Sequence, residues 1–326
     1  MSSQPTPIFI FSLPRSGSTL LQRLLAADAH IATVSESHLL LPFLYSLREQ
    51  GVFSEYNHAF TAWAIQEFCR NLPGGTAAYL AEIRDMALRL YGRAAGENVT
   101  YFVDKAAAYH QIAEEVIQMF PEARVIFLWR NPLAVAASLM ESWKNGRWNL
   151  FEHDVRLYEG VMQLTAVHEK YAAQVHALRY EDLLTQPEVE MERIFTYLQL
   201  PFERRILDTF AQVSLQGQTG DMVGMAQYHT LNREPLQKWK RTLANPLRKM
   251  WSGRYLRTLG SERLGQMGYS LDELLHELRG LPPSGQYLPS DLWRIPYGIA
   301  YRYLEGRVFS HKLKRIRAGQ RVFAHK

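Results

Sequence analysis

Short runs of β-branched and aromatic residues alternate along this chain with segments whose apolar residues recur at helical spacing. The first run, residues 8–11 (IFIF), stops at residues 12–14 (SLP), as a buried strand does. The leucines of residues 20–25 (LLQRLL) then fall on one face of a predicted helix. The chain therefore opens with a predicted strand, a tight loop and a helix.

A second unit of the same kind begins at residues 123–129 (ARVIFLW), which have the pattern of a buried strand. Asn131 can cap the next helix, and Pro132 can take its first position, where a missing N–H group costs nothing. Residues 175–180 and 99–103 predict two further short strands. Strands that alternate with helices build parallel sheets covered on both faces. The predicted fold class is therefore α/β, with a central parallel sheet flanked by helices.

The long segment between the first two units, residues 39–95, is largely helix-like and rich in aromatic residues. A break at residues 72–75 (LPGG) divides it. Such an insertion can form a helical lid over a substrate. Helices that pack on the sheet for stability alone are the alternative, and the pattern leaves both open.

The composition is that of a globular chain. Of 326 residues, 47% are hydrophobic and 12% are aromatic, enough to bury a substantial core. Cys69 is the single cysteine, so no intramolecular disulfide can form and no cysteine cluster can hold zinc. No window approaches the roughly 18 uninterrupted apolar residues of a membrane span, and no signal peptide is indicated. We expect a cytoplasmic protein.

Positive charge is concentrated near the C-terminus. Residues 294–326 hold nine Lys or Arg residues against one acidic residue, which gives this tail +8 in a chain of net charge +5. Basic residues beside aromatic ones suit an anionic membrane surface, so the tail predicts peripheral membrane contact. A solvated tail folded back on the body is the alternative. The remaining chain lacks a basic groove, which argues against nucleic acid. The tail residues concerned are Trp293, Tyr297, Tyr301, Tyr303, Phe309, Lys312, Lys314, Arg315 and Arg317.

The linker-like residues 281–289 (LPPSGQYLP) mark the main predicted boundary. We predict one domain over residues 1–280, with residues 39–95 as its lid, and a basic aromatic extension over residues 281–326. No internal repeat is present.

The loop at residues 14–19 (PRSGST) has the composition of an anion site. It follows a predicted strand and precedes a helix, whose free N–H groups and dipole favour an anion. Its glycine permits close backbone approach, and its arginine can grip two oxygens at once. The loop is not that of nucleotide triphosphatases, because GxxxxGK[ST] is absent. A capped turn without a ligand is the alternative.

A second cation stands at the end of the second predicted strand. Arg130 follows that strand, and Ser138 lies eight residues on, two turns along the next helix, so both can face one crevice. Two anion sites at two strand ends suit a ligand with two separated phosphate groups.

These motifs together resemble the sulfotransferases that use 3′-phosphoadenylyl sulfate (PAPS), in their bacterial and tyrosylprotein-like branch. The resemblance rests on residues 8–25 (IFIFSLPRSGSTLLQRLL), 124–139 (RVIFLWRNPLAVAASL) and 179–184 (RYEDLL), and weakly on residues 236–241 (LQKWKR). It implies a nucleotide-hydrolase-like sulfotransferase fold and an enzyme that moves sulfate from PAPS to a hydroxyl group. The product nucleotide would be 3′-phosphoadenosine 5′-phosphate (PAP), and no metal is implied.

The resemblance also implies roles for individual residues. One departure is Ser142, where some relatives place another arginine; Lys144 lies nearby. The residues implied to cradle the 5′-phosphosulfate are Arg15, Ser16, Gly17, Ser18 and Thr19, those for the 3′-phosphate are Arg130 and Ser138, and further nucleotide contacts are Tyr180 and Lys238.

Catalysis of sulfuryl transfer needs positioning, charge stabilisation and a base for the acceptor hydroxyl. Arg15 is the candidate for the charge that develops on the leaving phosphate, and Lys105 aligns with a lysine that assists at the sulfate. Glu36 aligns with a catalytic glutamate and His38 lies two residues on, so either can be the base, with Glu36 favoured. The alternative for Glu36 is a surface carboxylate or a helix cap, and the alternative for His38 is a structural histidine. Weaker candidates are His110 and His229.

The acceptor is expected to be a carbohydrate, a lipid or a small metabolite. Two other functions stay open: a nucleotide-binding protein without transferase activity, and a nucleotide kinase on the same type of sheet. The missing Lys-Ser/Thr magnesium motif argues against the kinase.

Overall fold

A computed structural model describes residues 4–47, 58–213, 215, 231–304, 313, 316, 317 and 319. Five parallel strands form one sheet in the order β2-β3-β1-β4-β5. The α/β prediction is confirmed, and the four predicted strands appear within one or two residues of their expected positions. The strands are β1 (Thr6–Phe11), β2 (Ile31–Thr33), β3 (Tyr101–Asp104), β4 (Arg124–Trp129) and β5 (His176–Arg179).

Helices cover both faces of this sheet. The α-helices are α1 (Ser18–Leu25), α2 (Leu41–Tyr45), α3 (His58–Asn71), α4 (Gly75–Ala95), α5 (Ala113–Met119), α6 (Pro132–Lys144), α7 (Gly160–Tyr171), α8 (Tyr180–Thr185), α9 (Pro187–Leu198), α10 (Ile206–Thr209), α11 (Lys238–Thr242), α12 (Pro246–Leu259), α13 (Ser261–Gln266), α14 (Leu271–Gly280) and α15 (Leu288–Leu304). Single 3₁₀ turns lie at Ala107–Gln111, Leu150–Glu152, Phe210–Gln212 and Glu234–Leu236, and a π-helical turn lies at Val155–Glu159.

The central strand β1 separates two hydrophobic cores. Ile8 and Ile10 face a core that includes α1, α8 and α9, whereas Phe9 and Phe11 face the core of α5, α6 and α7. The connection from β1 to β2 runs over the first face, and the later connections, which run in the opposite direction, pass over the second. Connections that run in opposite directions over opposite faces all have the same hand, and parallel crossovers of this kind are right-handed almost without exception. The arrangement also makes the carboxyl ends of β1 and β4 the switch point at which open α/β sheets bind ligands.

The edge strand β2 was not predicted. It has only three residues, too few to show a period, and its position is set by distant partners. The Thr33 hydroxyl donates to the carbonyl of Val103 at 2.8 Å. The Gln22 side chain in α1 donates to Thr33 at 2.7 Å and to the Val34 carbonyl at 2.6 Å.

The described part of residues 39–95 is largely helical, as predicted. It contains α2, α3 and α4, with α4 beginning at the predicted break, and residues 48–57 lie outside the described residues. Its role as a substrate lid stays a prediction.

A buried ion pair holds α15 against α12. Arg248 in α12 donates from Nε to Asp291 Oδ2 at 2.6 Å and from Nη2 to Oδ1 at 3.0 Å. Both side chains are 0% exposed. The domain boundary at residue 281 and membrane contact of the tail stay predictions, and Phe309, Lys312, Lys314 and Arg315 lie outside the described residues.

Within the described part of the chain, no helix combines the length and apolar character needed to cross a bilayer.

Candidate functional site

The loop after β1 is shaped around Gly17, the N-cap of α1. Gly17 has φ 91°, and a Cβ atom there would lie 2.3 Å from Cδ2 of Tyr180. Only glycine permits both the left-handed backbone and this close approach. The N–H groups of Ser18 and Thr19 fall in the first helical turn, where no carbonyl of the same helix can accept a hydrogen bond from them. The loop therefore presents backbone donors at the carboxyl end of the central strand.

Arg130 lies beyond the carboxyl end of the neighbouring strand β4. Its side chain is 8% exposed, and Nη1 donates to the carbonyl of Arg15 at 2.6 Å. The guanidinium lies over the ring of Tyr180, 4.5 Å from the centroid. Asn131 caps α6 as predicted, because its side chain accepts from the N–H of Leu133 at 2.9 Å. Arg130, at the second predicted anion site, therefore contacts the loop of the first predicted anion site directly.

A side-chain bond also joins the two predicted elements. Arg15 Nε donates to the hydroxyl of Ser138 at 3.1 Å, across 123 residues of sequence. Arg15 is one of few non-glycine residues with positive φ, here 68°. Such backbone strain persists only where the surroundings fix it, and it concentrates at functional sites.

Lys238 is the first residue of α11, three residues after a backbone contact of Arg130. The carbonyl of Pro235 accepts from Arg130 Nη2 at 3.4 Å, which brings this segment to the site. Lys238 itself is 38% exposed and pairs with Glu234 at 3.2 Å. Lys144 faces Glu152 at 3.8 Å, so its charge is already paired.

Glu36 and Lys105 form an ion pair beside the loop. Lys105 Nζ donates to Glu36 Oε1 at 2.7 Å and to the Thr19 hydroxyl at 3.3 Å. Lys105 is 1% exposed and Glu36 is 14% exposed. Three predicted site residues from three separate segments are thus brought together.

The other predicted bases differ in their placement. His38 is 42% exposed, and its Nε2 lies 3.5 Å from Glu36 Oε2. His110 is buried, with Nδ1 2.8 Å from the carbonyl of Ala107, and belongs to the 3₁₀ turn after β3. His229 lies outside the described residues.

Asp104 at the end of β3 is a site feature that the sequence did not single out. It is buried, and it accepts hydrogen bonds from the hydroxyls of Ser37 at 2.7 Å, Tyr91 at 2.5 Å and Tyr109 at 2.8 Å. Burial raises the pKa of this carboxyl group, while the hydroxyl donors oppose the rise. Since Ser37 lies between Glu36 and His38, Asp104 anchors the segment that carries both candidate bases.

Glu181 supports the Arg130 side in a similar way. One carboxylate oxygen accepts from the backbone N–H of Asn131 at 3.0 Å, and the other accepts from the Tyr269 hydroxyl at 2.5 Å. The sequence alone assigns no such role to Glu181. No local signal points to Tyr269, which lies 88 residues away.

The assembled site can bind a large anion and transfer a proton. It combines the cations of Arg15, Arg130 and Lys105 with the hydroxyls of Thr19 and Ser138. Nε of Arg130 is buried without an acceptor among the described residues, and a buried charged donor of this kind calls for a partner. A phosphate group in the crevice would supply it.

A model of the sulfotransferase family matches residues 7–204 of the chain. The protein therefore belongs to the sulfotransferase family, and the resemblance stated from its motifs is confirmed. Among solved structures, the sulfotransferase domain from the curacin biosynthetic pathway superposes with a TM-score of 0.54 at 24% identity. It covers 82% of this chain and 99% of that domain, which supports the fold.

Two curated relatives are similar over part of their length. Nodulation protein NoeE of Sinorhizobium fredii is 32% identical over 149 residues, which are 44% of this chain and 33% of that protein. Protein-tyrosine sulfotransferase A of Caenorhabditis elegans is 27% identical over 214 residues, which are 61% of this chain and 51% of that protein. The chain thus spans about a third and a half of these relatives.

Proposed function

We propose that this protein is an enzyme that transfers a sulfuryl group from PAPS to a hydroxyl group of a carbohydrate, lipid or small metabolite. One observation carries the proposal: the Arg15 loop and the Arg130–Ser138 element are joined at the carboxyl ends of β1 and β4. Family membership supports the reaction class. PAPS suits such paired elements because it carries two separated anionic groups.

The residues at the Arg130 end fit a 3′-phosphate. Arg130 is buried, oriented by two carbonyls and the Tyr180 ring, and keeps Nε available among the described residues. A guanidinium binds phosphate oxygens in a fixed planar geometry. The Ser138 hydroxyl lies near Arg130, because Arg15 bonds to both residues. Its Nε donates to the Ser138 hydroxyl, and its backbone carbonyl accepts from Arg130. Lys238 and Tyr180 would complete the nucleotide contacts.

In the proposed transfer, the acceptor oxygen forms a bond to sulfur while the bond from sulfur to the bridging phosphate oxygen breaks. PAP leaves, and the acceptor proton passes to a base of the protein. Arg15 and the loop N–H groups would stabilise the charge on the bridging oxygen, and Lys105 would hold the sulfuryl oxygens. The transfer needs no metal in this scheme.

Glu36 is the proposed base. Its ion pair with Lys105, which also contacts Thr19, places a carboxylate directly beside the loop that would hold the sulfuryl group. His38 lies within 3.5 Å of the same carboxylate, so it can take the proton onward toward solvent.

The base assignment predicts a clear difference between two variants. Glu36→Gln should lower kcat by about 10²- to 10⁴-fold, the usual worth of a general base, without weakening PAP binding. His38→Gln should cost roughly tenfold or less. Steady-state kinetics with each variant measures both effects. The opposite order would move the assignment to His38.

The donor assignment is tested by calorimetric titration with PAP, 5′-AMP and ATP. We expect PAP to bind far more tightly than AMP, and Arg130→Ala to remove most of that difference. Arg204→Ala is the control, because Arg204 is 72% exposed in a surface pair. Equal binding of the three nucleotides, or none, would contradict the proposal.

A further inference from the structure

The outward side of α15 is apolar, the reverse of an ordinary surface helix, which shows its polar residues to solvent. Between residues 291 and 301, both charged side chains are held by the protein. Asp291 is buried on Arg248, and Arg294 donates from Nε to the carbonyl of Trp148 at 2.6 Å. The exposed residues of this stretch are Leu292, Trp293, Pro296, Tyr297, Ile299 and Ala300. None of them carries a charge, although Leu292 is 62% exposed and Trp293 is 74% exposed.

The apolar surface continues from α15 across a groove onto α12. The groove has a volume of about 700 Å³, and its walls include Trp251, Ile295, Leu292 and Ile299. Met250 of α12 also lines it and is exposed. We call the exposed residues of α15, Met250 and these groove walls together the α12–α15 face. Contiguous apolar surface on a folded domain marks a place where the domain binds something.

The two helices that form this face carry a strong positive charge. They contain six basic residues and one acidic residue, which gives a net charge of +5. The acidic residue is Asp291, and Arg248 binds both of its carboxylate oxygens. The groove wall adds one further carboxylate, Asp154. The five remaining basic residues are Lys249, Arg254, Arg257, Arg294 and Arg302. An anionic partner therefore suits the α12–α15 face.

Apolar residues surrounded by cations match the chemistry of an anionic lipid surface. Tryptophan and tyrosine side chains lie at the level of the lipid headgroups, and each basic residue near an anionic membrane strengthens binding about fivefold. A second copy of the chain fits this face less well. A symmetric dimer would bring the excess cations of one face against those of the other, and like charges across an interface are unfavourable.

We propose that the α12–α15 face binds the surface of an anionic bilayer, with α15 lying in the plane of the interface. Leu292, Trp293 and Tyr297 would enter the headgroup region, and Arg254 and Arg257 would contact lipid phosphates. The proposal is independent of the proposed function. It goes beyond the contact predicted for the basic tail, because it assigns the insertion to side chains of two helices that pack on the core.

Sedimentation of the full chain with vesicles tests the proposal. The probes are vesicles of phosphatidylcholine alone and vesicles in which about a third of the lipid is phosphatidylserine. We expect the anionic lipid to raise the partition coefficient at least tenfold, and high salt to reverse this gain, because salt screens the attraction between charges. Failure to bind the anionic vesicles would overturn the proposal.

Two exposed apolar residues on opposite sides of the sheet provide a matched pair of variants. Leu292 belongs to the α12–α15 face, whereas Val189 lies on α9, which packs on the other core. We expect Leu292→Asp to lower the partition coefficient for anionic vesicles at least tenfold, and Val189→Asp to leave it within twofold. Urea unfolding of both variants should match that of the wild type, because both positions face solvent.

Quenching by brominated lipid locates the inserted side chain. Bromine atoms on the acyl chains quench only those indole rings that enter the bilayer, and the chain has seven tryptophans. Trp293→Phe keeps an aromatic ring, so it should still bind the vesicles, but it should lose about half or more of the quenching. Trp63→Phe is the control, because Trp63 is exposed on α3, and its quenching should equal that of the wild type.

Each other outcome overturns the proposal in a distinct way. If the protein binds anionic vesicles but Leu292→Asp and Trp293→Phe change neither binding nor quenching, the basic tail alone makes the contact. If the protein is a dimer without vesicles and Leu292→Asp makes it a monomer, the face is an interface between two copies of the chain. Titration with PAP tests the proposed function separately, so a failure of one proposal leaves the other intact.

Discussion

Gly17 packs against the ring of Tyr180, the same ring that lies beneath the guanidinium of Arg130. The glycine is needed for two separable reasons. Its φ of 91° is costly for any other residue, and its missing side chain leaves room for the tyrosine ring. A comparison with a second glycine separates these two costs.

We predict that Gly17→Ala weakens PAP binding by at least tenfold and destabilises the fold, because Tyr180 must move. Gly74→Ala is the matched control: Gly74 is also an N-cap with left-handed backbone (φ 87°, ψ −3°), and a Cβ atom added there would approach no ring, only the Cβ atom of Ala78 at 3.1 Å. It should show only the backbone cost of about 1–2 kcal/mol. Urea denaturation and PAP titration measure both, and equal losses in the two variants would remove the packing argument.

Asp104 and the three hydroxyl groups that donate to it form a cluster, and two of its tyrosines should differ in their effect on catalysis. The Tyr109 hydroxyl bonds Asp104 and also accepts from the N–H of Leu40 at 3.2 Å, whereas the Tyr91 hydroxyl donates to the carboxylate at 2.5 Å. Tyr109→Phe should therefore loosen the segment that carries Glu36, and lower kcat on the order of tenfold with PAP affinity retained.

Tyr91→Phe is the control for that change, since it removes one bond to Asp104 but leaves Leu40 in place. Its effect on kcat should be smaller. If the two variants reduce kcat equally, the cluster stabilises the core and does not position the base.

At the scale of elements, α7 and β4 pack through a histidine placed against aromatic rings. His168 contacts Phe127 and Trp129 edge-on, with ring centroids 5.2 and 5.6 Å away. Burial lowers the pKa of His168. The unfolded chain therefore binds the proton more readily, and folding stability falls as the pH drops below the ordinary histidine pKa of about 6.5.

Replacing this histidine should remove that part of the pH dependence. We predict that the stability of His168→Phe relative to wild type increases as the pH falls from about 7 to 5. Urea unfolding at several pH values measures this difference. His276→Phe, at an exposed position on α14, controls for loss of an imidazole, and parallel curves for wild type and His168→Phe would contradict the prediction.

Elements of this molecule were predictable where their signal was local. The strand-loop-helix units at residues 8–25 and 124–139 carry buried runs, a capping Asn131 and Pro132 at the first helical position, and all were found as expected. The strand β2 was missed because three residues hold no period and its partners are distant. Asp104 was missed for a similar reason, since its role appears only when Ser37, Tyr91 and Tyr109 converge on it.

Across the whole molecule, the pair Arg248–Asp291 joins α15 to α12. Arg248 also donates to the carbonyls of Gly146 at 2.8 Å and Thr242 at 2.9 Å, so one guanidinium connects three segments. Asn245 adds a bond to Asp291 at 2.6 Å. Removing one member would leave a fully buried charge without its partner.

We predict that Asp291→Ala lowers the free energy of unfolding by about 3–5 kcal/mol, the usual cost of breaking a buried pair. Glu188→Ala, which breaks a pair with the exposed Arg204, should cost about 0–1 kcal/mol. Chemical denaturation of both variants measures the difference. A loss below about 1 kcal/mol for Asp291→Ala would mean that α15 contributes little to the cooperative unit.

The bond from Arg15 to Ser138 closes a span of 123 residues, and this has a consequence for how the protein folds. Contacts between residues so far apart in sequence form late, after the central strands have paired, because closing the intervening chain costs entropy. The anion site therefore exists only in the folded molecule, and a ligand bound there stabilises the native state. At a ligand concentration about 100 times its dissociation constant, ligand binding adds about 2.7 kcal/mol to the free energy of unfolding.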